Sequence, residues 1–208
     1  MIIPCHENKA IELALASLKS DKAFVYPTDT LYGFGANASS EKALNGIYEL
    51  KQRPKSMPMS ILVSGKEMLE KYAKISLLSE RLIDHFLPGA LTLVLPAKNR
   101  DFPKSLFSLE GYLGFRIPNH TFCLELAKEF DAPFVTTSVN ISGQSSLNNM
   151  KEINLQFKDY IDLFISDKNL EIKKENQGST IVLLDEDSKY EILREGVIPK
   201  HEIDAILK

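Results

Sequence analysis

Tryptophan is absent from the chain, and only two cysteines, Cys5 and Cys123, occur in its 208 residues. Neither has the CxxC spacing of a redox or metal motif, so a disulfide framework is excluded and both read as reduced thiols of a cytoplasmic protein. Excess positive charge is missing too. With 25 Lys and Arg against 28 Asp and Glu, the net charge is −3, which argues against a protein that coats nucleic acid through bulk charge. Any anion site must then be a local gathering of cations. No apolar run is long enough to cross a bilayer. The opening "MIIPCHENKA" lacks the basic-then-apolar order of a signal peptide. A Walker A loop, a G-x-S-x-G elbow and an internal repeat are all absent, and the four histidines are too scattered to suggest a zinc site.

What is present is an ordinary globular composition, 44% apolar and 25% charged, with length enough to bury a substantial core. Residues 1–208 read as one domain. Ala10, Ile11, Ala14, Leu15 and Leu18 follow helical spacing, and a second helix begins at Ser39 or Ser40 with Leu44, Ile47 and Tyr48 facing inward. Further helices are expected near 66–73, 79–86 and 121–130, and from Pro199 onward. Strands are expected at Ala23–Tyr26, Met59–Ser64, Leu91–Pro96, Tyr112–Pro118, Pro133–Asn140, Ser179–Asp185 and Tyr190–Glu195. Several connections are too short for parallel crossovers. The fold class is therefore α/β (α+β) with a mixed sheet. Ser142–Asn149 and Asp167–Gln177 read as loops.

"GFGANA", Gly33–Ala38, fits G-x-G-x-x-A, but the intervening "PTDTLY" and the lack of an acidic end to the next strand argue against a dinucleotide site. A tight turn is the expected reason for the two glycines. Thr28, Asp29 and Thr30 follow a strand end, where they can face a ligand or satisfy a local turn. In "KQRPKSMP", Lys51 closes a helix, whose C-terminus favours cations by about 0.3–1 kcal/mol. Pro54 drives Arg53 into extended geometry, so that Arg53 and Lys55 can point together. A solvated helix end and an organised phosphate site both remain open. Ser138 and Asn140 end an apolar strand, as a polar turn or as nucleotide contacts. Arg116 lies near the end of another apolar strand, where it must stay exposed or meet an anion. Arg194 repeats that situation, with Glu191 and Glu195 as possible partners.

Taken in order, "PTDTLYGFGANA", "KQRPKSMPMSILV", "PGALTLVLP", "GFRIPNH", "TTSVNISGQSS", "GSTIV" and "ILREG" resemble the YrdC-like family, the threonylcarbamoyl-AMP synthases. The matches run from Pro27 to Gly196, almost the whole chain. The resemblance implies a twisted mixed sheet around a large concave cavity, the YrdC/RibB-like fold. It implies a nucleotidyltransferase that joins L-threonine, bicarbonate and ATP into threonylcarbamoyl-adenylate with release of pyrophosphate. The product would serve t6A modification of tRNA through separate partner proteins. Such transfer needs positioning and charge neutralisation more than a covalent nucleophile. Mg2+ bound through the triphosphate would leave no carboxylate cage in the sequence.

Carried over, Lys51 and Arg53 would hold the ATP phosphates with help from Arg194, and Lys51, Arg53 and Ser138 would carry catalysis. Ser138 and Ser146 would bond the nucleotide, with Asn140 supporting them. Thr30, Arg116 and Ser179 would face threonine, Arg116 donating to the threonine carboxylate. Relatives carry a histidine where this chain has Leu62, which removes one polar contact to threonine. "TTSVN" replaces a more usual Ala-Pro-Ser-Ala-Asn but keeps Ser138 and Asn140. The short form without a C-terminal extension is expected. A double-stranded RNA- or tRNA-binding protein without its own chemistry is the alternative, and carbamoyl transfer as in hydrogenase maturation a weaker third.

Overall fold

The computed structural model describes residues 1–171, 177–187 and 189–207. Its helices form where apolar side chains recur on one face. α1 (Asn8–Lys19) buries Ala10, Ala14 and Leu18. α2 (Glu41–Leu50) opens on Ser40, whose hydroxyl accepts a bond from the Ala43 amide, satisfying one of the unpaired donors of a helix start. α3 (Lys66–Tyr72) is short, and α4 (Leu77–Phe86) begins with a reciprocal Ser76–Ser79 capping box. α5 (Thr121–Phe130), α6 (Met150–Phe157), α7 (Lys168–Glu171) and α8 (Lys200–Leu207) complete the set among the described residues.

Among the described residues, ten strands make one sheet. They are β1 (Ile2–Pro4), β2 (Phe24–Pro27), β3 (Tyr32–Gly35), β4 (Ser60–Leu62), β5 (Leu91–Pro96), β6 (Tyr112–Arg116), β7 (Phe134–Ser138), β8 (Phe164–Ser166), β9 (Thr180–Leu184) and β10 (Tyr190–Arg194). Their spatial order is β1-β8-β2-β3-β7-β4-β6-β5-β9-β10. The pairs β1–β8, β8–β2, β4–β6 and β5–β9 are parallel and the others antiparallel. The mixed sheet expected from the short connections is present. None of the described helices is long and apolar enough to cross a membrane.

Two apolar layers decide where a site can form. Along a strand, successive side chains face opposite sides. Ile61, Leu91, Leu93, Leu95, Leu113, Phe115, Val135 and Val182 share one large cluster with α2, α3, α4, α6 and α8. The opposite face is covered by α1 and α5 over Phe24, Tyr26, Leu62 and Phe134. That second cluster includes no residue of β5, β6, β9 or β10. The face they share with the outer ends of β4 and β7 is left for polar side chains.

Three expectations need correction. Gly33 and Gly35 lie in β3, not in a turn. A Cβ on Gly35 would stand 2.6 Å from the Phe24 ring, and one on Gly33 3.3 Å from the Tyr26 ring. The glycines are there so that β3 can lie against the aromatic rings of β2. Asp167–Gln177 is not uniformly a loop, because Lys168–Glu171 is helical; residues 172–176 lie outside the described residues. The strand expected over Met59–Ser64 is limited to Ser60–Leu62. β1, α6 and β8 were not anticipated.

Candidate active site

A cavity of about 150 Å3 opens on the uncovered part of the sheet. Strand alternation builds its floor: Ser60 of β4, Thr92 of β5, Arg116 of β6, Thr136 and Ser138 of β7, and Ile181 of β9. Their neighbours Ile61, Leu93, Phe115, Val135 and Val182 point into the large core. Thr28 and Thr30 reach in from the β2–β3 turn, Ser179 from the residue before β9, Arg194 from β10, and Arg53 from the segment after α2. No Asp or Glu is among the described lining residues.

Arg53 owes its place to the end of α2. The Gln52 amide bonds to the Glu49 carbonyl at 3.0 Å and the Arg53 amide to the Tyr48 carbonyl at 2.9 Å. This is a Schellman closure, with Gln52 in the left-handed region at φ 48°. The reversal turns Arg53 back toward the sheet. Its Nε donates to the Met57 carbonyl at 2.8 Å and its Nη2 to the Pro58 carbonyl at 2.9 Å, so the guanidinium is held in place. Arg194 is fixed likewise: Nη2 donates to the Ser179 carbonyl at 2.8 Å. Among the described residues it forms no ion pair with Glu191 or Glu195.

Arg116 is only 7% exposed. Its Nη2 stands 2.5 Å from Asp29 Oδ1 and 2.7 Å from Thr30 Oγ1, while its Nε is buried without a hydrogen-bond partner among the described residues. An unpaired buried N–H of a charged group costs more than the usual 1–3 kcal/mol of a neutral one. Three guanidinium groups thus meet one small cavity. Burial first, and then the charges of Arg116 and Arg53, push the Arg194 pKa down; burial does the same to Arg53. Such a cavity favours an anion.

Lys51 is not the solvated cation of a helix end. It is 1% exposed and does not line the cavity. Its Nζ donates to the Ser138 carbonyl at 2.5 Å, to the Asn140 carbonyl at 3.1 Å and to Asn140 Oδ1 at 3.1 Å, which uses all three ammonium donors. Its own carbonyl accepts from the Ser142 amide at 2.8 Å. Lys51 therefore clamps the turn that ends β7. Burial, and secondarily Arg53, pull its pKa down to about 7. Ser138 Oγ donates to Asn140 Oδ1 at 2.6 Å. An amide oxygen is no general base, so this hydroxyl is a positioned hydrogen-bonding group and not an activated nucleophile.

Of the residues picked out from the sequence, Thr30, Arg53, Arg116, Ser138, Ser179 and Arg194 line the cavity. Lys51 and Asn140 stand directly behind Ser138. Ser146 is half-buried in the 142–149 segment and does not line the cavity, and Lys55 is exposed. Leu62 is fully buried in the α1/α5 layer, outside the cavity lining. Sequence reasoning missed Ser60, Thr92 and Thr136, though Ser60 and Thr92 are each the lone polar residue of an apolar strand and Thr136 begins the polar end of β7. Thr92 Oγ1 and Ser179 Oγ are 2.7 Å apart, joining β5 to the start of β9 inside the cavity.

Comparison with known proteins gives consistent results. The Sua5/YciO/YrdC family model, described as "Telomere recombination", matches residues 16–196. A putative threonylcarbamoyl-AMP synthase of Methanocaldococcus jannaschii is 38% identical over 192 residues, covering 92% of this chain and 88% of that protein. The threonylcarbamoyl-AMP synthase of Mus musculus is 33% identical over 195 residues, 91% of this chain and 68% of that protein. The crystal structure of Pyrococcus abyssi Sua5 complexed with L-threonine superposes with a TM-score of 0.89 at 31% identity. It covers 99% of this chain, which spans 60% of the Sua5 chain.

Proposed function

The chain belongs to the Sua5/YciO/YrdC family, and from that premise we propose that it is a threonylcarbamoyl-AMP synthase supplying t6A modification of tRNA. In this reading L-threonine and bicarbonate give the carbamate with loss of water. A carbamate oxygen then attacks the α-phosphorus of ATP, the new P–O bond forms, the α–β anhydride bond breaks, and pyrophosphate leaves. The observation that carries the proposal is the meeting of Arg53, Arg116 and Arg194 on one cavity whose described lining holds no carboxylate. That charge suits an adenylation step in which the carbamate, ATP, the adenylate and pyrophosphate are all anions.

The roles divide along the cavity. Arg116 takes the threonine carboxylate through its unpaired Nε, beside Thr30 and the Thr92–Ser179 hydroxyl pair. Arg53 and Arg194 hold the phosphates. Ser138 bonds the nucleotide, and Lys51 and Asn140 keep the Ser138 turn in register. A space of about 150 Å3 accepts the reacting groups, and the rest of the nucleotide extends beyond it, where Ser146 would bond it. Magnesium would enter with the triphosphate and neutralise its charge. The described lining offers hydroxyl groups and no carboxylate, so phosphate oxygens and water would be the ion's ligands. The reaction would run in the cytoplasm and hand its labile product to separate transfer proteins acting on tRNA.

The test is direct product detection. Incubation with threonine, bicarbonate, ATP and magnesium should yield threonylcarbamoyladenylate by mass spectrometry, with one pyrophosphate per adenylate. Release of ADP and phosphate without the adenylate would overturn the assignment.

A further inference from the structure

Away from the arginines, three residues from distant parts of the sequence converge behind the β2–β3 turn. Cys5 follows β1, His120 precedes α5, and Asp167 follows β8. One ligand atom from each lies within 4.8 Å of the others. His120 Nε2 is 3.2 Å from Asp167 Oδ2, and all three residues are half-buried.

We propose that Cys5, His120 and Asp167 form a binding site for a zinc-class divalent transition metal, with the fourth position taken by water. The donor set decides the class: a thiolate, an imidazole and a carboxylate suit Zn2+ or Co2+, whereas Mg2+ prefers oxygen alone. The distances fit as well. Around a tetrahedral zinc, neighbouring ligand atoms stand about 3.3–3.8 Å apart, so a contraction of about 1 Å completes the site.

The ligands are also held from behind, as metal ligands usually are. Asp167 Oδ1 accepts from the Asn169 amide at 2.8 Å, leaving Oδ2 for the metal. The Asp167 backbone is pinned to the Tyr32 hydroxyl through both its amide (2.9 Å) and its carbonyl (3.1 Å). The Cys5 amide bonds to the Ser166 carbonyl at 2.8 Å. His120 Nε2, the ring nitrogen that already faces Asp167 Oδ2 at 3.2 Å, is the atom that would bind the metal. His120 and Asp167 also line a second cavity, of about 360 Å3, together with Asn119 and Asp29. Water reaches the fourth position from that side. Binding would release the Cys5 proton to solvent and tie β1, α5 and β8 together just behind Asp29, the partner of Arg116.

The experiment uses the full chain with Co2+ and Zn2+ as probes. Co2+ should give a sulfur-to-metal charge-transfer band with tetrahedral d–d absorption at one equivalent, displaced by Zn2+ and unaffected by excess Mg2+. Cys5→Ser should abolish the charge-transfer band and His120→Asn should weaken Co2+ binding at least tenfold. Cys123→Ser should change neither, since Cys123 is buried and its Sγ faces the Pro27 carbonyl at 3.2 Å. Zinc at 100 times its Kd should raise Tm by roughly 5–10 °C in the wild type and should protect Cys5 from alkylation. A charge-transfer band that survives Cys5→Ser would overturn the site. So would a wild type that shows neither the band nor protection of Cys5, whatever the folding of the variants.

Discussion

Arg116 and Asp29 form a buried ion pair, Nη2 to Oδ1 at 2.5 Å, with both side chains about one-tenth exposed. The pair spends one edge of the guanidinium on the fold and leaves Nε for a ligand. Removing the carboxylate leaves an uncompensated buried charge. Asp29→Asn should therefore destabilise the chain by about 3–5 kcal/mol, measured by urea unfolding. A loss below about 1 kcal/mol would mean that the pair does not anchor Arg116.

Arg116→Ala should raise the threonine requirement about 10–100-fold, the worth of one charged hydrogen-bonded contact, with ATP affinity little changed. Steady-state kinetics with each substrate varied in turn separates the two. A selective loss of ATP affinity would reverse the division of roles along the cavity.

Arg53→Ala and Arg194→Ala should each weaken ATP binding about tenfold or more while cooperative unfolding persists. The two cations repel, so deleting one relieves the other in the empty cavity. Calorimetric titration of ATP into both variants checks this, and unchanged affinity would remove that arginine from the phosphate site.

Lys51 carries a pH signature. Its folded pKa near 7 lies below the roughly 10.4 of an unfolded lysine, so between those values the unfolded chain holds more protons. Stability contributed by Lys51 should then rise with pH from about 7 toward 10.4, by at most about 1.4 kcal/mol per pH unit. The readout is the stability difference between wild type and Lys51→Met across that range. A difference that falls with pH would contradict the burial argument.

The left-handed Gln52 at the close of α2 is a position where glycine carries no Cβ penalty. Gln52→Gly should stabilise by roughly 0.5–1 kcal/mol, and its ATP affinity should stay at the wild-type value. A lower Tm would mean that the Gln52 side chain contributes more than the turn geometry costs.

Long periodic elements were legible in the sequence. The limits of α1, β5 and α5 follow directly from apolar spacing and flanking polar residues. β3 was not, because two glycines in four residues imitate a turn, and only the rings of Phe24 and Tyr26 explain them. β1 and β8 have three residues each, too few for a period to register. The cavity was half-visible. Arg53, Arg116 and Arg194 stood out as cations beside apolar strands, whereas the burial of Lys51 depends on the Ser138–Asn140 turn meeting it from 87 residues away. No spacing rule could have joined Cys5, His120 and Asp167, since they lie in separate stretches of the sequence, His120 and Asp167 being 47 residues apart.

The most direct test of the central claim is isotope exchange between labelled pyrophosphate and ATP. Exchange that needs both threonine and bicarbonate, and that fails when Arg53 and Arg194 are replaced by alanine, is the result expected of a synthase built on this cavity. No exchange under saturating substrates, accompanied by salt-sensitive binding of double-stranded RNA, would contradict it.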